Sequence, residues 1–274
     1  MKHAQSIRHM DQISPPIQPK LKVNTKNYVE MVFEWNPIPI KKHALFYQFD
    51  TTSDLDNIKL IPDGCINILF KCDHKDPEVW LSGLMLKEKS LKLEPNTTYF
   101  GFKPYSPAAI KNNRLRFNSL LDDEIELKYY FPQVESLTEK ILLTTNLEER
   151  LYIFLNYAQK YLIDYDFNYN PGEHLAATMC KSEGQRKIGH LAEIIGYTER
   201  HCRKKFKDLF GITLTQYNRI MRFQSAIKKF YDNEHLSMIN IAHDSGYFDQ
   251  AHFIRDFKKF TTDSPTEFKN SLLV

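Results

Sequence analysis

The sequence lacks any long hydrophobic run and is poor in cysteine. None of its apolar segments approaches the roughly 18–20 residues that cross a bilayer. The start, MKHAQSIRHMDQIS, has cations but no apolar segment after them, so we expect no secretory signal. The chain contains no Cys-x-x-Cys pair; its four cysteines are Cys65, Cys72, Cys180 and Cys202. We therefore expect reduced thiols and a cytoplasmic protein without a membrane segment.

Patterns that carry catalysis or hold a metal are also missing. The sequence contains no Gly-rich phosphate loop and no Ser-His-Asp pattern. Outside the basic last third, no two histidines have the spacing of metal ligands; these histidines are His3, His9, His43, His74 and His174. We therefore expect no enzyme, no bound cofactor and no metal.

The sequence does have an uneven distribution of charge. Its net charge is +3, too small to indicate a nucleic-acid partner by itself. Residues 181–274 contain 16 Lys and Arg against 11 Asp and Glu, a net charge of +5, which leaves −2 for the rest. This distribution is typical of a DNA-binding end attached to a near-neutral body.

Short apolar segments separated by turns predict a β-rich region up to about residue 117. Residues 1–20 look like an extended, proline-containing lead-in. Turn signals at 62–64 and 94–96 separate predicted strands, and short strands at this spacing favour a small barrel or sandwich. The aromatic side chains of this region fit a plain core or an apolar ligand pocket, and a core is the commoner outcome.

A helical region is predicted from about residue 120 to residue 165. Asn146 is expected to cap a helix, followed by an apolar stripe at spacings of three and four. The stripe consists of Leu147, Leu151, Phe154, Leu155, Ala158 and Leu162. It fits a helix packed on the β-rich region or a homodimer seam, and analogy slightly favours the dimer. Pro171 begins the next helix. We predict one domain over 1–165 and a second over 166–274.

The second domain contains one pattern twice, LAEIIGYTERHCRKKFK at 191–207 and IAHDSGYFDQAHFIRDFK at 241–258. In the first copy, a short apolar helix ends at Gly196, where a positive φ is expected, and Thr198 caps a second helix. Cys202 and Phe206 lie four residues apart and point inward. This leaves Arg200, Arg203 and Lys204 on the outer face.

The second copy has the same order of features. Ile239, Ile241 and Ala242 are expected to face the core, Gly246 to end the helix, and Asp249 to cap the next one. In that next helix Phe253 and Phe257 point inward, and the outward positions are Gln250, Ala251, Ile254 and Arg255. Residues 213–231 predict a long helix shared by both units. Two helix-turn-helix units on one shared helix can enter successive major grooves.

Residues 172–270 resemble the AraC/XylS-type DNA-binding domain. The resemblance rests on L-A-x-x-x-G-Y at 191–197, F-K-x-x-x-G at 206–211, Tyr217, R-x-x-x-A at 222–226, the segment from Met238 to Tyr247, F-x-R-x-F-K at 253–258 and Ser264-Pro265. Thr262 departs from the pattern because the family usually has Gly there. A positive φ at Thr262 would cost about 1 kcal/mol.

The resemblance implies a sequence-specific transcription regulator that binds double-stranded DNA and, as an activator, RNA polymerase. It implies the DNA-contacting residues Thr198, Arg200, His201, Arg203, Lys204, Gln250, Ala251, Ile254 and Arg255. Arg pairs with guanine and Gln with adenine. In front of this domain the resemblance implies a cupin-like domain that senses a small effector, forms a homodimer, or does both.

Two other functions fit a DNA-binding domain of this type. One is an enzyme that carries it, such as a DNA-alkylation repair protein, which needs a thiolate activated by its neighbours or by zinc. Cys65 and Cys72 have no adjacent cations at a helix start, and the cysteines do not cluster. The other is an architectural DNA binder, which has no need of a large β-rich domain.

Overall fold

The computed structural model describes residues 15–35, 42–54, 58–111, 115–163, 170–232 and 236–272. These residues form a β-rich N-terminal part and an all-helical C-terminal part, which confirms the α+β class. The strands are β1 (Lys26–Trp35), β2 (Lys42–Asp50), β3 (Lys59–Leu60), β4 (Asn67–Cys72), β5 (Glu78–Ser82), β6 (Lys89–Ser90), β7 (Thr98–Pro104) and β8 (Glu124–Glu126). The helices are α1 (Pro19–Val23), α2 (Val134–Leu142), α3 (Leu147–Tyr161), α4 (Pro171–Lys181), α5 (Ile188–Ile195), α6 (Glu199–Phe210), α7 (Leu214–Asp232), α8 (Met238–Asp244), α9 (Gln250–Phe260) and α10 (Pro265–Asn270).

Six strands form one antiparallel sheet in the order β1-β2-β7-β4-β5-β8, and β3 pairs with β6 in a second sheet. The central strands are apolar on both faces because both faces are covered. Phe46, Phe100 and Phe102 belong to one buried cluster, whereas Tyr47 and Tyr99 belong to another on the opposite face. The predicted aromatic load of this region is therefore mostly core.

The apolar stripe of α3 packs on the sheet. Asn146 caps α3 as predicted, accepting hydrogen bonds from the backbone N–H groups of Glu148 and Glu149. The ring of Phe154 lies 4.5 Å from that of Phe102 and 5.4 Å from that of Phe46. The stripe thus packs on the sheet, the first of its two predicted alternatives, with Phe154, Ala158 and Leu162 buried and Leu151 and Leu155 half-buried. A homodimer stays a prediction.

Two predictions about local structure are wrong at their edges. Pro19 belongs to the first turn of α1, so the described end of the lead-in is helical. Proline is tolerated there because the first N–H groups of a helix have no acceptor within the helix. β8 lies in the stretch that was predicted to be helical, and it pairs with β5 at the sheet edge. The predicted domain boundary after residue 165 lies outside the described residues.

The two parts of the chain meet at a polar contact that we call the junction, made by Gln224 and Glu88 with their partners. The Gln224 side chain on α7 accepts from the N–H of Ile17 at 2.9 Å and donates to the carbonyl of Pro62 at 2.8 Å. Glu88 donates its N–H to the carbonyl of Phe260 at 2.8 Å and accepts from the N–H of Thr262 at 3.0 Å. The N-terminal part therefore contacts the end of α9 directly.

Thr262 belongs to this junction. Its backbone does not adopt a positive φ. The preceding residue, Thr261, follows the last residue of α9 and is extended, with φ −132° and ψ 160°. The strain considered for a non-glycine residue at this site therefore does not arise. Its hydroxyl instead bonds to Glu88, and the ammonium of Lys59 lies 3.1 Å from that hydroxyl.

Candidate nucleic-acid interface

The first helix-turn-helix unit consists of α5 and α6 and has the predicted geometry. Leu191 and Ala192 are buried, and Gly196 ends α5 with φ 72°. A Cβ on Gly196 would have open space around it, so the left-handed backbone alone requires glycine there. The Thr198 hydroxyl then caps α6 by accepting from the N–H of His201.

Helix α6 points its apolar side chains inward and its cations outward. Cys202, Phe206 and Phe210 are buried. The three predicted outward side chains, Arg200, Arg203 and Lys204, are exposed, and so is His201. The Arg203 guanidinium lies 3.1 Å from the Glu199 carboxylate, a surface ion pair of small stability that DNA phosphates can compete for.

The second unit, α8 and α9, confirms all but one of its predicted core positions. Ile241 and Ala242 are buried, but Ile239 is 64% exposed. Two residues advance a helix by about 200°, so Ile239 and Ile241 point to opposite sides of α8. Gly246 has φ 76° as expected, and Asp249 caps α9 by accepting from the N–H of His252 at 2.6 Å.

Helix α9 is anchored by Phe253 and Phe257, which are buried. Of the predicted outward residues, Gln250, Ala251 and Arg255 are exposed, and Ile254 is half-buried. Of these four outward residues, Arg255 carries the one positive charge.

Helix α7 holds both reading helices through rings. The ring of Tyr217 packs on those of Phe206 and Phe210 at 5.1 and 5.2 Å. Further along α7, Phe223 packs on Phe257 at 5.2 Å. Because both contacts are made by one continuous helix, the orientation of α6 relative to α9 is set by α7.

An ion pair adds to this anchor and was missed from the sequence. Arg219 on α7 donates two hydrogen bonds to Asp256 on α9, at 3.0 and 2.5 Å. The Asp256 side chain is buried, and the Arg219 side chain is mostly covered. The two residues are 37 positions apart, so no local spacing signals the pair.

A shallow cleft is lined by the segment before α5, by α6 and by α7, and we call it the inter-unit cleft because Arg222 at its edge contacts the turn of the second unit. Four of its lining residues are cations: Arg186, Lys187, Arg203 and Arg222. Arg222 lies 5.6 Å over the ring of Tyr247 and donates to the carbonyl of Gly246 at 3.4 Å. The sequence reasoning missed Arg186 and Lys187, whose position just before α5 was the available signal.

A small cavity of about 50 Å³ lies at the junction. Its walls include Asp63, Cys65 and Tyr105 from the N-terminal part, and Cys180 and Tyr217 from the helical part. Burial raises the pKa of the Cys65 thiol well above its usual value and that of Cys180 to about 11. All four cysteines are free thiols.

Among the described residues, one acidic group has the closeness of metal ligands: Asp76, Glu78 and Glu94. The Lys71 ammonium lies between them, 2.9 Å from Asp76 and 2.7 Å from Glu94. That cation offsets part of their negative charge. Within the same residues, no helix has the length and apolar character needed to cross a membrane.

The comparisons with known proteins agree with the geometry of the two units. A family model described as a helix-turn-helix domain matches residues 191–271. The probable transcription factor PqrA of Proteus vulgaris is 35% identical over 97 residues, which cover 35% of this chain and 78% of that protein. An uncharacterised HTH-type transcriptional regulator of Staphylococcus aureus is 29% identical over 83 residues, only 11% of its length. The chain belongs to the AraC/XylS type of DNA-binding transcription regulators.

Solved structures with a similar arrangement are distant. ToxT from Vibrio cholerae matches 89% of this chain and 98% of its own, with 14% identity and a TM-score of 0.44. The C-terminal domain of AraT from Geobacillus stearothermophilus matches 38% of this chain and 86% of its own, with 20% identity and a TM-score of 0.36. Likenesses this distant assign neither ligand nor partner to this chain.

Proposed function

We propose that this regulator binds one face of double-stranded DNA with both units, α6 and α9 entering successive major grooves about 34 Å apart. The observation that carries the proposal is the matched anchoring of both reading helices on α7. The proposed contacts of the first unit are Thr198, Arg200, His201, Arg203 and Lys204. Those of the second are Gln250, Ala251, Ile254 and Arg255.

The two units have different chemistry in this proposal. The cation-rich α6 combines phosphate attraction with guanine recognition by Arg203, whereas α9 pairs Gln250 or Arg255 with bases and offers apolar side chains to thymine. We also propose that the DNA backbone passes the inter-unit cleft, which has four cations in its lining. Its cations would contact phosphates there.

For the N-terminal part we propose a regulatory role, by sensing a small effector, by forming a homodimer, or by both. The support is its contact with the C-terminal ends of both reading helices. Glu88 bonds at the end of α9, and a Cβ on Gly211 at the end of α6 would lie 2.7 Å from the Cα of Asn118. The junction cavity is far below the roughly 300–1,000 Å³ of ordinary ligand sites, so an effector would enter by opening the junction.

We further propose that the protein is not an enzyme. A repair enzyme needs a thiolate, and burial disfavours that form by raising the pKa of each thiol in this chain, Cys72 to about 11 among them. As a regulator it would act in the cytoplasm, with RNA polymerase as its partner if it is an activator.

Selection from a randomised duplex pool with the full chain tests the DNA-reading proposal. We expect a bipartite site whose halves are about ten base pairs apart. Inserting five base pairs between the halves turns them to opposite faces, so affinity should fall to that of one half. Enrichment of a single short motif, or affinity unchanged by the insertion, would refute reading by both units.

A further inference from the structure

The turns of the two units differ in length by one residue. In the first unit, the cap residue Thr198 is the second residue after Gly196. In the second unit, the cap residue Asp249 is the third residue after Gly246. Beyond each cap the buried anchors return to the same spacing, four and eight residues on. The extra residue is Phe248.

The longer turn exchanges which aromatic side chain faces solvent. Tyr197 in the first turn is 37% exposed, and its ring lies 4.8 Å from that of His201. Tyr247 in the second turn is only 4% exposed, packed between Arg222 and Phe253. Phe248 stands outside it and is 92% exposed, more than any other large hydrophobic side chain in the described part of the chain.

We infer that Phe248 is a further specificity-determining residue, which contacts the C5-methyl group of a thymine in the second half-site. The inference rests on the proposed reading of DNA by α9. Phe248 directly precedes the cap of α9 and so lies next to the first residues of that helix, which in a helix-turn-helix unit contact base edges. Apolar side chains such as Phe read thymine through its methyl group.

The surroundings of Phe248 favour DNA as its partner. The guanidinium of Arg222 lies beneath the neighbouring Tyr247 and belongs to the cationic inter-unit cleft. On the α9 side, Ala251 is also apolar and exposed. A cationic surface that displays one bare aromatic ring complements a polyanion whose base edges carry methyl groups.

The test removes the methyl group and the ring separately. The probe is the duplex enriched by the full chain from a randomised pool, with each thymine of the second half-site replaced in turn by deoxyuridine, which lacks only the C5-methyl. At one position we expect wild-type affinity to fall about fourfold, the effect of one buried methyl-sized contact. Phe248→Ala should lose about as much on the thymine probe and show no further loss on the deoxyuridine probe.

The matched control is Ile239→Ala, which removes the other strongly exposed apolar side chain of this unit. It should keep the wild-type response to deoxyuridine. Because an apolar contact displaces no counterions, Phe248→Ala should also leave the salt dependence of binding unchanged. Full sensitivity of Phe248→Ala to every deoxyuridine substitution would overturn the inference. A pool that yields no enriched site would refute both this inference and the DNA-reading proposal, whereas a bipartite site without methyl coupling would refute this inference alone.

Discussion

At the scale of single residues, the N-terminal part contains a fully buried ion pair. The Lys103 ammonium lies 2.5 Å from the Asp63 carboxylate, and Gln18 donates a further bond to Asp63 at 2.8 Å. Burial alone would lower the pKa of Lys103, but Asp63, Tyr47 and Cys65 together raise it to about 12. Lys103 is therefore charged, and removing either residue would leave the other buried without its partner.

Lys103→Met should lower the free energy of unfolding by about 3–5 kcal/mol, because it leaves the Asp63 carboxylate buried without its cation. Urea denaturation measures this change. The control is Lys128→Met, which removes an exposed surface pair with Glu126 and should change the free energy of unfolding far less. Equal losses in the two variants would show that burial does not decide the cost.

Lys204 tests how the first reading helix uses its charge. It is exposed on α6, and we expect it to neutralise a phosphate. Lys204→Ala should therefore weaken binding to specific and scrambled DNA about equally and reduce the slope of log affinity against log salt by about one unit. Titrations at several salt concentrations measure the slope. A loss confined to the specific site would instead assign Lys204 to base recognition.

At the scale of elements, the sequence predicted what local rules control. The caps Asn146, Thr198 and Asp249 and the positive φ of Gly196 and Gly246 follow from residue type and spacing, and all are confirmed. The outward residues of α6 and α9 follow from the position of their buried anchors. Their contacts with bases remain a prediction.

The failures fall where distant contacts decide. β8 exists because β5 offers it an unpaired edge, and the stripe of α3 is covered because the sheet supplies Phe102 opposite Phe154. The error at Ile239 is local instead, because Ile239 and Ile241 are two residues apart and cannot share one face of α8. The junction joins residues more than 160 positions apart, as between Gln224 and Pro62, and no local pattern announces such a pair.

The ion pair between α7 and α9 tests whether α7 orients the second reading helix. Arg219→Met leaves buried Asp256 without its main cation and should cost about 3–5 kcal/mol of stability. Arg219→Met combined with Asp256→Asn should recover part of that loss, because the stranded charge is gone. Thermal unfolding of the single and double variants measures the coupling. Additive losses would mean that the pair does not act as a unit.

At the scale of the whole molecule, the N-terminal part and the DNA-binding part make buried contacts with each other. Tyr217 on α7 packs on the rings of α6. It also packs closely on Gly64 of the N-terminal part, since a Cβ on Gly64 would lie 2.9 Å from the Tyr217 ring. Glu88 fixes the end of α9. A structural change in the N-terminal part can therefore shift α6 through its contact with Tyr217 and α9 through its contact with Glu88.

Gln224→Ala tests the junction. The substitution leaves the N–H of Ile17 and the carbonyl of Pro62 without their partner, at a cost of about 1–3 kcal/mol. Opening the junction should speed alkylation of Cys65 and Cys180, whose raised pKa values keep them as slow-reacting thiols at pH 8 in the closed protein. Mass spectrometry after timed alkylation measures each site. Cys202 in the first unit is the internal control, and equal acceleration of Cys202 would indicate general unfolding instead.

The central claim is that one chain reads two successive major grooves with two unequal helices. Hydroxyl-radical footprinting of the full chain on its selected duplex tests it most directly, using wild type, Arg203→Ala and Arg255→Ala. We predict two protected segments about ten base pairs apart on one face. Arg203→Ala should weaken protection in one segment and Arg255→Ala in the other. A single protected segment, or both variants weakening the same segment, would contradict the account.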